Sequence, residues 1–300
     1  MNYKSKRSKY RDTGTMRKRS AYALTVASVL AIIWAICLVI ILIVGLATKD
    51  AVDKQNENMP DGSVLEDKTY TVDDYTYEAQ LDENMKNAIN SSSPEYLVLI
   101  NKDNPVGAGH TVSGLKALDT NYTAGGKSIQ LEMNAAIAAE ALMAEMRACG
   151  FDDITITSAY RSYDYQKQLF DKYIKIEKAN HPNLSDEKIK EIVLGYSAEP
   201  GYSEHHSGLC LDFIVPEMGG DLFNYGKETP SNSYDVGFAE TEEYQWLLKN
   251  AHKFGYILRY PEDKVSETKY NYESWHFRFV GIDAATKIYQ NKTTLEAYLE

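Results

Sequence analysis

Two short stretches hold the residue types of a hydrolytic metal centre. The first is Ser203-Glu204-His205-His206-Ser207-Gly208-Leu209-Cys210-Leu211-Asp212, and the second is Glu273-Ser274-Trp275-His276-Phe277-Arg278. Between them they supply two imidazoles (His205, His276), one carboxylate ligand (Asp212) and one spare carboxylate (Glu273). A catalytic zinc site takes three protein ligands and leaves the fourth position to water. The spare carboxylate can then act as general base toward that water.

The local sequence says how these groups are carried. Gly208 permits a tight bend after His205. Leu209 to Val215 is almost continuously apolar and reads as a strand covered on both faces. A bare Asp212 inside it is costly to bury, so it needs a metal or an arginine partner, and the sequence alone admits both. In Trp275-His276-Phe277-Arg278-Phe279-Val280, alternation puts His276 and Arg278 on one face and the aromatics on the other. Glu273 precedes His276 by three residues, so it reaches the same face only if the chain bends there.

Ser203-x-His205-x-x-Gly208-x-x-x-Asp212 followed by Glu273-x-Trp275-His276-x-Arg278 resembles the VanY-type D-alanyl-D-alanine carboxypeptidases. Related L,D-carboxypeptidases that trim peptidoglycan share the pattern. Thr155 to Gln166 resembles the family's block around Tyr-Arg-Ser, and Ile257 to Glu262 resembles the segment before the last ligand. The resemblance runs over about residues 94 to 300. It implies a zinc ion (Zn2+) on His205, Asp212 and His276, with Glu273 as base. Arg161 stabilises the oxyanion or grips a substrate carboxylate. Gln166 and Ser203 match positions that hold the terminal carboxylate, and Tyr260 one that lines the cleft. The implied reaction removes C-terminal D-alanine from peptidoglycan stem peptides, D,D- or L,D-specific.

The sequence departs from the pattern at Cys210, Ala159, Lys269 and Ser274, where small residues, glycine, glycine and proline are usual. Cys210 shares a strand face with Asp212, so it is either a soft metal ligand or a packing residue, and packing is the preferred reading. His206 is expected to hydrogen-bond locally. His110, His181 and His252 stand in no ligand-like context.

The 300 residues carry a net charge of −11. The first twenty hold +7, which leaves −18 on the remainder and argues against nucleic acid as a partner. Leu24 to Leu46 is uncharged and long enough to span a bilayer. It exceeds a secretory signal core, and no Ala-x-Ala site follows it. The basic flank precedes it, so the N-terminus is expected in the cytoplasm and the rest outside. The expected organisation is a basic tail (1–20), a transmembrane helix (21–48), a polar acidic stalk (49–93) and a catalytic domain (94–300). Tyr70, Tyr75 and Tyr77 in the stalk either dock on the domain or face solvent.

Within the domain, Tyr96–Ile100 reads as a strand and 131–149 as a helix closed by Gly150. Further strands are expected at 153–158, 256–260 and 275–280. Helices are expected at 165–178, 185–194, 242–254, 282–289 and 294–299, with a long loop at 216–236. Without regular βαβ alternation this is an α+β domain with a small, mainly antiparallel sheet flanked by helices. Two rivals are a membrane-anchored wall-binding or sensing module without turnover and a structural ectodomain. Glu273 speaks against the first, because binding needs no general base, while the stalk and the acidic surface suggest the second.

Overall fold

A four-stranded sheet organises the fold. The computed structural model describes residues 68–215 and 237–300, and its folded unit begins at Thr69. Strands β1 (Leu115–Ala117) and β2 (Gln130–Glu132) form a separate antiparallel pair. Strands β3 (Thr155–Ser158), β4 (Cys210–Ile214), β5 (Tyr256–Leu258) and β6 (His276–Phe279) form the main sheet in the order β3-β4-β6-β5, with every neighbour antiparallel. This is the α+β architecture expected from the sequence.

The sheet has one apolar and one polar face. Leu211 pairs with Phe277, and Asp212 and Cys210 pair with His276 and Arg278. Because side chains alternate, Leu211, Phe213, Phe277 and Phe279 join the core, while Cys210, Asp212, His276 and Arg278 share the other side. Both sets are buried. Helix α2 (Met133–Ala148) belongs to the same core. Its run of buried alanines lets its backbone come close to the sheet, and Tyr256 Oη donates to Ala135 O at 2.6 Å. The Glu132 carboxylate caps its first turn, and Gly150 follows it at φ 91°.

Helices α3 (Tyr163–Asn180), α4 (Asp186–Leu194) and α5 (Glu242–Asn250) start on Ser162, Ser185 and Thr241, each accepting from the backbone N–H of the helix's third residue. A 3-10 turn, Ala251–Phe254, extends α5 to Gly255. A single turn, α6 (Val265–Thr268), then α7 (Ile282–Asn291) and α8 (Leu295–Leu299) complete the C-terminal part.

Two expectations need correction. Residues 69–93 are not a stalk but part of the domain, and helix α1 (Glu83–Ile89) lies within them. Val72 and Ile89 are buried in the core. Tyr70 N donates to Asp283 Oδ1, Tyr75 Oη meets Thr286 Oγ1 and Tyr77 Oη donates to Lys253 O, each at 2.9 Å. Tyr96–Ile100 is not a strand either. Pro94–Leu97 is a 3-10 turn, and the carbonyls of Tyr96 and Val98 both accept from Arg278 Nη2 at 2.9 Å instead of from a neighbouring strand. The expected tail, transmembrane helix and 216–236 loop, with residues 49–67, lie outside the described residues. Among the described residues no helix is long and apolar enough to cross a membrane.

His252 marks where the N-terminal segment docks. Its ring stacks on Tyr289 at 3.9 Å and meets the edge of Tyr75 at 5.5 Å, and its Nδ1 has no hydrogen-bond partner among the described residues. Burial, helped by the charge of Lys253, holds its pKa down at about 4. The unfolded chain takes up this proton near pH 6.5, so the stability from neutral His252 is complete above that pH and is lost as pH falls toward 4. Denaturant titrations of wild type and His252→Gln at about pH 7.5 and about pH 4.5 should show the variant losing about 2–3 kcal/mol less stability on acidification. Equal losses would refute this account of His252.

Candidate active site

Cross-strand register builds the floor of the site. Ser158, Asp212 and His276 lie side by side across β3, β4 and β6. His205 comes from the 3-10 turn Glu204–Ser207, which ends in Gly208 at φ 68°. There a side chain would be strained, and its Cβ would also crowd Val112 at 3.2 Å. The bend needed before His276 is present: His276 N donates to Glu273 O at 3.2 Å and Glu273 N to Tyr260 O at 3.2 Å. It brings Glu273 Oε2 to 3.6 Å from His276 Nδ1. The chain therefore gathers His205, Asp212, His276 and Glu273 at one place.

The hydrogen bonds behind the imidazoles fix which nitrogen faces inward. His205 Nδ1 donates to Ala159 O at 2.6 Å, leaving Nε2 toward Asp212 Oδ2 at 3.2 Å. His276 Nε2 donates to Glu204 Oε2 at 3.0 Å, leaving Nδ1 toward Asp212 Oδ1 at 3.0 Å. Each inward contact sets a lone pair against a carboxylate oxygen, so a cation must lie between them. A proton on each ring would serve, and burial, which lowers the His205 pKa, is outweighed by Asp212, so that it rises to about 9. One divalent cation serves both contacts at once. Zinc bonds of about 2.0–2.1 Å place neighbouring tetrahedral ligand atoms about 3.3–3.4 Å apart, close to the separations found. Outer acceptors that set the tautomer are what metal-bound histidines require.

Burial pushes the Glu273 carboxyl up, and the charge of Asp212 adds to this. The nearby His276, His205 and Arg161 pull the other way, and it settles at about 7. A carboxyl held near neutrality beside a metal site is suited to taking a proton from water and returning it.

Arg161 is no surface ion pair. Its Nη2 donates to Asp212 Oδ2 at 2.9 Å, and Nε and Nη2 donate to Ser158 Oγ at 3.0 and 2.8 Å. The guanidinium still lines the cleft, as do Ser203 and Tyr260. Tyr260 stacks on Tyr270 at 4.7 Å and tilts over His276 at 4.9 Å.

Gln166 differs from expectation. It is fully buried and does not line the cleft; Nε2 is committed to Ala198 O at 2.7 Å and Oε1 stands 3.4 Å from Arg161 Nη1. It braces Arg161 and the 197–198 segment instead of touching substrate. His206 bonds locally, as expected: Nδ1 donates to Arg161 O at 2.7 Å and Nε2 accepts from Gly201 N at 3.0 Å. His110 meets His206 O, and His181 pairs with Glu177 outside the cleft.

Sequence reasoning missed Glu204. Its carboxylate is entirely buried and accepts from Arg259 Nε (2.7 Å), Arg278 Nη1 (2.8 Å) and His276 Nε2. Burial alone would raise its pKa, but the two guanidinium charges overcome that and lower it. The signal was Arg278 itself: an arginine inside an apolar strand demands a buried acid.

Together the site is a cleft of about 530 Å³ with the ligand set and Glu273 in its wall. Fold and site define a zinc-dependent hydrolase. The family model for VanY, D-alanyl-D-alanine carboxypeptidase, matches residues 128–282. A putative carboxypeptidase, YodJ of Bacillus subtilis (strain 168), is 34% identical over 206 residues, covering 68% of this chain and 67% of that protein. A mutant of the vancomycin-resistance D,D-pentapeptidase VanY in complex with Zn(II) has a TM-score of 0.52 at 29% identity, covering 69% of this chain and 99% of that one. The LdcB LD-carboxypeptidase reaches 0.55 at 29% identity, covering 73% and 96%. The chain belongs to the VanY family of D-alanyl-D-alanine carboxypeptidases. It is a peptide hydrolase, and zinc is its metal.

Glu204→Gln leaves Arg278 buried without a counter-charge, leaves Arg259 with Glu296 alone, and loosens His276. Chemical denaturation should show a loss of about 3–5 kcal/mol, and chelator competition should show zinc held about 10–100-fold more weakly. Unchanged zinc affinity in the folded variant would remove Glu204 from the metal site.

Proposed function

We propose that this protein removes the C-terminal D-alanine of peptidoglycan stem peptides, and that the segment before the domain anchors it in the cell membrane with the domain outside. The observation that carries the reaction is Glu273: a half-buried carboxyl, held near neutrality, facing a His-Asp-His ligand set in a cleft wall. A binding module has no use for such a group.

Bound at His205, Asp212 and His276, zinc supplies Lewis acidity that brings a water toward neutral pKa and polarises the scissile carbonyl. Glu273 takes the water's proton and hands it to the leaving amine of D-alanine. Arg161 offers guanidinium donors beside the reacting carbonyl or to the terminal carboxylate. Asp212 and Ser158 hold that guanidinium in place, and Gln166 stands behind it. Ser203 and Tyr260 shape the wall that receives the terminal residue. Likeness to a D,D-pentapeptidase and to an LD-carboxypeptidase supports testing both pentapeptide and tetrapeptide stems. The uncharged Leu24–Leu46 run and its basic flank support the anchor.

Glu273→Gln should keep near-stoichiometric zinc and lose about two to four orders of magnitude in turnover, the usual worth of a positioned acid–base group. Elemental analysis beside D-alanine release from pentapeptide, tetrapeptide and tripeptide stems makes the measurement. A zinc-free variant would make Glu273 a ligand, and a fully active one would remove it from the reaction. In wild type the acid limb of kcat/KM should lie at or below about pH 7, because a bound dication lowers the Glu273 pKa further.

Protease added to intact protoplasts tests the anchor. Loss of the C-terminal domain with a small protected fragment is the expected result, and full protection of the domain would overturn the topology.

A further inference from the structure

We propose that Cys210 is a fourth protein ligand of this zinc site, reaching the metal from the sheet side so that the cleft side stays open. The inference rests on the zinc-peptidase reading and goes beyond its His-Asp-His ligand set.

Three observations carry it. Ligating atoms of His205, Cys210 and His276 all lie within 4.8 Å of one another, and all three residues are buried. Cys210 is two residues from Asp212 on β4, so both side chains rise from the same face, opposite Arg278 and His276. A buried free cysteine otherwise packs as a small hydrophobe. The apolar face of β4 is the other one, carrying Leu211 and Phe213, and Cys210 instead stands beside the imidazoles of His205 and His276.

The direction of approach settles how a fourth ligand is compatible with catalysis. His205, Asp212, Glu273 and His276 line the cleft, whereas Cys210 does not. Its sulfur therefore meets the ion from the floor, and the position toward substrate remains free. Zinc tolerates a fifth ligand in such sites. A thiolate also makes the site softer than nitrogen and oxygen donors alone and favours zinc over harder cations.

X-ray absorption at the zinc edge of the loaded full-length protein reads this directly. One sulfur at about 2.3 Å beside nitrogen and oxygen at about 2.0–2.1 Å is the expected shell; nitrogen and oxygen alone overturn the proposal while leaving the peptidase reading intact. A protein that takes up no zinc overturns both. Cobalt-loaded wild type should show a thiolate-to-cobalt charge-transfer band. Cys210→Ala should lose that band, while Cys149→Ala, changed at an exposed cysteine, should keep it. Competition with a chromophoric chelator should show Cys210→Ala holding zinc at least about tenfold more weakly, a lower bound set by what losing an outer partner costs. Equal affinities count against the proposal.

Discussion

The structure depends on one buried carboxylate. Glu204 accepts from Arg259, Arg278 and His276, and its arginines reach outward in turn. Arg259 forms a two-pronged pair with Glu296 on α8, at 2.8 and 2.6 Å. Arg278 holds the carbonyls of Tyr96 and Val98. The turn that carries His205, two strands, the last helix and the N-terminal part of the domain therefore share one charge network. Isolated buried pairs add little net stability, but removing one partner from such a set is severe. The network serves position more than stability: it sets the tautomer of His276, and so decides which nitrogen faces the metal.

The same logic makes the sheet asymmetric. On one face Leu211, Phe213, Phe277 and Phe279 build a dry core with α2. On the other, the buried polar groups hold one another in hydrogen bonds and ion pairs, and acceptor meets acceptor at Asp212. Lone pairs of two imidazoles and a carboxylate cannot be packed together without a cation. The fold thus carries the demand for positive charge in its hydrogen bonds, one layer behind the ligands.

Much of this was legible in the sequence because the chemistry lies in short motifs on regular elements. Alternation placed His276 and Arg278 on one face, and Gly150 marked the end of a helix. The need for a bend at Glu273 was visible from its spacing. What escaped was decided by distant partners. Tyr96–Ile100 has strand composition, yet Arg278 takes the carbonyls a strand would need. The segment 69–93 is polar and sparse in aliphatics, and its Val72, Tyr75, Tyr77 and Ile89 are covered only when α2, α7 and the turn after α5 close on the segment. Gln166 sits in a motif block but turns behind Arg161. Lys269, where the family pattern has glycine, indeed adopts a left-handed φ of 64°, so that departure records a backbone requirement kept without its usual residue.

The docking of the first residues of the domain on its last helices has a bearing on how the chain is made. Tyr70 bonds to Asp283 and Tyr75 to Thr286, more than two hundred residues away, and Arg278 closes on Tyr96 and Val98 across about one hundred and eighty. Such long-range closures come late and slowly. During synthesis the N-terminal part of the domain can meet α2 early, but its contacts with the last helices wait until almost the whole chain has emerged, so folding from the N-terminus stays incomplete until then. Glu204 waits with it, a charge without its arginines. The metal ligands come together only when the polypeptide is nearly complete, which couples the ability to hold zinc to the arrival of the C-terminus.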